Sequence, residues 1–137
     1  MSDDQLWNAV LATNLGTLAT IKRDGRPQLS DINYCAAPGL IRFSTRTALA
    51  KVANLRRDPR ASLKVTAAAG YAVVEARAEL SVPSKDLDDP TVEELIEVYR
   101  LVGGKEHPDW DEYRAAMVAD GRLVVRLHVE RLYGWVM

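Results

Sequence analysis

Two spacings of apolar residues divide the chain. Leu6, Trp7, Val10 and Leu11 share one helical face, and Ser2 with Gln5 has the spacing of a capping box, so a helix opens the sequence and ends between Asn14 and Gly16. Leu15 to Ile21 is a short run bounded by turn residues, which predicts a strand. Asp24-Gly25 then separates it from a second such run, Pro27 to Tyr34, and this is a hairpin signal. Ala37-Pro38-Gly39 turns the chain into a third strand, Leu40 to Thr45. Ala48, Val52 and Leu55 return at helical spacing, predicting a helix from Thr47 to Arg57 with Thr47 as N-cap and Asp58-Pro59 as its stop.

Strict alternation resumes with Ala61, Leu63 and Val65, and again from Ala72 to Val82, a length that suits a barrel strand turning a corner. Asp89-Pro90 opens a helix whose apolar face carries Val92, Leu95, Ile96, Tyr99 and Val102, and Gly103-Gly104 ends it. Trp110, Tyr113 and Met117 mark a shorter helix closed by Gly121. Leu123, Val125, Leu127 and Val129 alternate in a sixth strand, leaving Tyr133 and Trp135 as an apolar tail suited to docking or a dimer contact. Hairpins dominate this order. The expected fold is an α+β domain over residues 1–137, an antiparallel sheet closed into a small β-barrel with peripheral helices.

Composition narrows the classes. Hydrophobic residues make up 47% of the 137 positions and charged ones 27%, which excludes a disordered chain. Eighteen Lys+Arg stand against 19 Asp+Glu, so neither nucleic acid nor an anionic membrane is the expected partner. A single cysteine, Cys35, excludes a disulfide framework and reads as a small buried hydrophobe. The acidic start and the lack of a membrane-length apolar run lead us to expect a cytoplasmic protein.

The usual catalytic signatures are missing. His107 and His128 stand apart, no ligand spacing suggests a metal, and no nucleophile elbow or phosphate loop occurs. Glu93, Glu94 and Glu97 read as the solvated face of their helix. A domain without its own acid, base or nucleophile works as an enzyme when a cofactor carries the reaction. One segment suits such a ligand: Ser44-Thr45-Arg46-Thr47, at a strand end and helix start, with Lys51 one helical turn later. Hydroxyls, backbone N–H groups and two cations meet there, as a phosphate requires. The alternative is an ordinary capped helix. The run Arg56-Arg57-Asp58-Pro59-Arg60 reads as a solvated helix end.

Leu18-Ala19-Thr20-Ile21-Lys22-Arg23-Asp24-Gly25-Arg26-Pro27-Gln28-Leu29-Ser30 and Lys51-Val52-Ala53-Asn54-Leu55-Arg56-Arg57-Asp58-Pro59-Arg60-Ala61-Ser62-Leu63 resemble the pyridoxamine-phosphate-oxidase-like flavin-binding split β-barrel family. The branch that uses the deazaflavin coenzyme F420 is the nearer match, and Asp89 to Arg100 and Trp110 to Val118 resemble it too. The resemblance implies a homodimer of six-stranded antiparallel split barrels with cofactor grooves between subunits. It implies a cofactor phosphate held by Ser44, Thr45, Arg46, Ala50 and Lys51, and a ring near Thr20, Lys22, Gln28, Asn33 and Tyr71. Relatives often carry Arg where this chain has Leu49, a gap that Arg46 is placed to fill. The implied activity is hydride transfer from reduced F420 to a small unsaturated or aromatic acceptor, with solvent supplying the proton. An FMN-dependent oxidoreductase and a non-catalytic cofactor carrier are the alternatives.

Overall fold

The computed structural model describes residues 2–137. Its elements run α1 (Asp3–Leu11), β1 (Leu15–Ile21), β2 (Pro27–Asn33), β3 (Cys35–Ala37), β4 (Leu40–Arg46), α2 (Ala50–Arg57), β5 (Arg60–Ala67), β6 (Gly70–Leu80), α3 (Pro90–Gly103), α4 (Trp110–Ala119) and β7 (Arg122–Val136). The capping box at Ser2 and Gln5 forms, and Asp89 and Asp109 cap α3 and α4 through their side chains.

All strands join one antiparallel sheet in the order β2-β1-β5-β6-β7-β4-β3. The edge strands β2 and β3 are joined through a single residue, Tyr34, yet no ladder bonds them, so the barrel stays split along that side. Tyr34 buries its ring, and its hydroxyl donates to the Val10 carbonyl at 2.6 Å. This break in the run from Pro27 to Tyr34 is why the sheet has seven strands rather than six. The short β3 folds back on Leu40–Arg42 only, leaving the remainder of β4 with a free edge facing β2.

Alternating inward residues fill the barrel, among them Leu18, Ile41, Phe43, Leu63, Val74 and Leu127. Burying such side chains stabilises by roughly 1.5–3 kcal/mol each. A second cluster packs α3 and α4 on the outer face of the sheet through Leu95, Ile96, Met117, Val124 and Cys35. Cys35 is thus the small buried residue expected, and burial raises its thiol pKa.

Two expectations are corrected. The C-terminal apolar tail is strand: β7 continues to Val136, with Leu132 and Val136 packing on the core while Tyr133 and Trp135 stand outward. Thr47 does not cap α2. The N-cap is Leu49, without a side-chain bond, and Thr47 instead donates its hydroxyl to the Gly121 carbonyl. Its backbone N–H reaches the same carbonyl at 3.2 Å, so the turn after β4 is tied to the turn before β7.

Candidate functional site

The split opens into a cavity of about 570 Å³. Asp31–Asn33 of β2 border one side and Ser44–Arg46 of β4 the other; α3 and α4 contribute Tyr99 and Tyr113, and Lys51 enters from the first turn of α2. Five of the residues singled out in the sequence meet here: Asn33, Ser44, Thr45, Arg46 and Lys51.

Arg122, the first residue of β7, completes the group. It lies directly opposite Arg46 in the ladder, so both side chains leave the same face of the sheet. Its Nη1 donates to Ser44 Oγ at 3.2 Å, while its Nε is buried without a partner. The Thr45 hydroxyl is also unpartnered, on a residue that is 3% exposed. Gly121, in the left-handed conformation at φ 59°, and the Thr47 tie fix the backbone that carries Arg122. Burial, and then the nearby Arg122 charge, push the Lys51 ammonium below its ordinary value. Among the described residues, no carboxylate forms an ion pair with Arg46, Lys51 or Arg122. Three cations without an ion-pair partner thus share this cavity; Asp31, on its β2 side, accepts from Thr17 Oγ1 at 3.0 Å, and Thr45 belongs to the inward face of β4.

The remaining candidates fall elsewhere. Thr20 and Gln28 oppose each other across β1 and β2, and both accept from Asn54 Nδ2, at 3.1 and 2.7 Å. Lys22 is exposed in the hairpin, and Ala50 is exposed beside Lys51 without lining the cavity. Tyr71 stands outward on β6, with Lys64 Nζ 5.8 Å from its ring centroid. Sequence reasoning missed Arg122 and Asn54. Gly121 marked the end of the preceding helix, but only the register brings Arg122 beside Ser44.

The α3 carboxylates are not a solvated face throughout. Glu94 bonds Arg126 through two contacts, one of 2.9 Å at Nε, and Arg42 at 3.3 Å, while Arg42 also reaches Glu97 at 2.9 Å. Burial alone raises the Glu94 pKa; the bonds to Arg126 and Arg42 outweigh it and hold the carboxyl below its usual value. A second cavity, about 540 Å³, lies outside β1, β5 and β6. Its cations Arg60 and Arg131 are matched by Asp58 and Glu75, so it carries no comparable demand for an anion.

The fold is a split antiparallel barrel, and its gap gathers cations without ion-pair partners among the described residues. Residues 3–136 match the pyridoxamine 5'-phosphate oxidase family, and the chain belongs to that family of flavin-binding oxidoreductases. Among solved structures, it is similar to a conserved hypothetical protein from Mycobacterium tuberculosis at 28% identity and a TM-score of 0.77, covering 99% of this chain and 85% of that one. An F420 reductase matches with 21% identity and a TM-score of 0.67, covering 92% and 94% of the two chains. A FAD-binding protein from Mesorhizobium loti matches with 15% identity and a TM-score of 0.66, covering 98% and 92%. These last two share the fold.

Proposed function

We propose that the chain is an F420-dependent reductase of small unsaturated or aromatic compounds, with the anionic tail of the cofactor in the split cavity. The observation that carries this reading is the cluster of Arg46, Lys51 and Arg122, which line one cavity without an ion-pair partner among the described residues, while Asp31 across it on β2 accepts from Thr17. The residues present fit a phosphate: Ser44 offers a hydroxyl on the same face of β4 as Arg46, and the start of α2 has no side-chain cap competing for its N–H groups. A bound deazaflavin supplies the hydride chemistry.

The chain's own residues bind, orient and exclude water. Tyr99 and Tyr113 wall the cavity beside Val98, Val102 and Met117. Tyr113 is no proton source: its hydroxyl donates to the Leu95 carbonyl at 3.0 Å and burial pushes it up to about 12. Proton delivery therefore falls to solvent. FMN is the second reading, because the cations recognise the tail and not the ring.

The same reading includes a homodimer in the cytoplasm. Tyr71 opposes Trp135, and Val73 opposes Tyr133, on one outward face of β6 and β7. Exposures of 39%, 54% and 48% for the three aromatics leave a patch suited to a second copy. Titration of F420, FMN and pyridoxal phosphate tests the assignment. We expect F420 to bind tightest and its reduced form to turn over with an enone. Tighter FMN binding selects the second reading, and F420 binding without turnover selects a carrier.

A further inference from the structure

We propose that Arg122 is a phosphate-binding residue of the split cavity, its guanidinium donating to the oxygens of the cofactor's phosphate ester. This rests on the proposed function and adds to it a residue outside the Ser44–Lys51 segment.

Three observations carry it. First, the guanidinium is half satisfied: Ser44 Oγ takes Nη1, and buried Nε has nothing. Leaving such a donor unpaired is costly unless a ligand completes it. Second, the position is built. Gly121 and the doubled tie from Thr47 hold the turn that delivers Arg122 next to the segment bearing Lys51. Third, the chain shows elsewhere what it does with a purely structural arginine pair. Arg42 opposes Arg126 on the same two strands, and Glu94 bridges them. Opposed like charges destabilise a ladder unless something neutralises them. At Arg46 and Arg122 the neutralising group is left to a ligand. A planar fork matches two oxygens of a phosphate, which a lysine ammonium does not. Arg122 therefore also answers the Leu49 departure, restoring an arginine to the anion site from another strand.

The test compares F420 with its deazariboflavin chromophore, which lacks the phosphate tail, by fluorescence titration of the full chain. Arg122→Met is expected to weaken F420 binding about 10- to 100-fold. It should leave chromophore affinity unchanged and should not lower the Tm of the ligand-free protein. Arg122→Lys should recover part of the loss. If Arg122→Met keeps full F420 affinity while Lys51→Ala loses it, the Arg122 role is wrong and the proposed function stands. If the unsubstituted protein holds both ligands equally and Lys51→Ala changes nothing, the function fails instead. Should Arg122→Met not fold, Arg122→Lys decides: several-fold weaker F420 binding at unchanged chromophore affinity supports the role, and undiminished F420 affinity overturns it.

Discussion

Arg42 faces Arg126 across β4 and β7, and four residues further on Arg46 faces Arg122 on the same side of the sheet. The first pair is closed from above by α3, with Glu94 on both guanidiniums, Glu97 on Arg42, and Glu79 3.5 Å from Arg126. The second pair looks into the gap of the split barrel and is joined by Lys51, a third cation, while Asp31 on the β2 side of the gap accepts from Thr17. Fold and function thus use the same residue type on the same strands. What separates them is whether the chain supplies the counter-charge. Where it does, the arginines clamp a helix to the sheet; where it does not, the repulsion is left uncompensated, which is what the proposed anionic ligand would relieve.

The most disruptive way to break this contrast is Glu94→Gln. Two largely buried arginines then lose their shared carboxylate, and stability should fall by about 2–3 kcal/mol. Urea denaturation reads the loss, while the affinity for F420 per folded molecule should hold. Lys51→Ala should do the reverse: F420 binding weakens about tenfold or more, and the ligand-free protein loses no stability, both measurable by titration and thermal melts. Leu49→Glu would place a carboxylate beside the open cluster, at the N-cap of α2. We expect a gain of about 0.5 kcal/mol in the ligand-free form together with loss of F420 affinity.

The two regions also differ in pH. Glu94 titrates below its ordinary value of 4.5 in the folded state, so its stabilisation is present above that value and is lost as pH falls through the folded pKa. Lys51 titrates below its ordinary value of 10.5, so the unfolded chain holds more protons between the two values. Stability should therefore rise with alkaline pH through that window, and Lys51→Met should remove the rise when denaturation midpoints are compared across pH. The smallest effect belongs to the exposed rim of the clamp. His128→Gln deletes a 2.9 Å contact with Glu79 at exposed, solvent-screened side chains, and the denaturation midpoint should barely move in the same assay.

Local chemistry was legible in the sequence, and distant chemistry was not. Ser44, Thr45, Arg46 and Lys51 lie within one strand end and one helical turn, so their spacing already places them together. Arg122 reaches them only through the β4–β7 register, 76 positions from Arg46 along the chain and opposite it in space. Glu94 read as solvated because its helix has a polar side; that side meets the arginines of the sheet instead. The second half of β7 was hidden for a precise geometric reason. Inward residues up to Val129 sit at odd positions, but a bulge pairs Glu75 with Arg131 and Ala76 with Val129, leaving Glu130 out. Leu132, Gly134 and Val136 then take the inward side, and the alternation seems to stop when it has only changed parity. Gly134, at φ 143°, comes so close to β6 that a Cβ there would meet the Tyr71 carbonyl oxygen at 2.4 Å.

A structure of the protein with F420 bound tests the central claim most directly. The account predicts the phosphate inside the split cavity, with Lys51 Nζ and the Arg122 guanidinium at charge-assisted hydrogen-bond distances of about 2.7–2.9 Å. A cofactor whose phosphate sits against Arg60 and Arg131 in the outer cavity, with neither Lys51 nor Arg122 touching it, would contradict it.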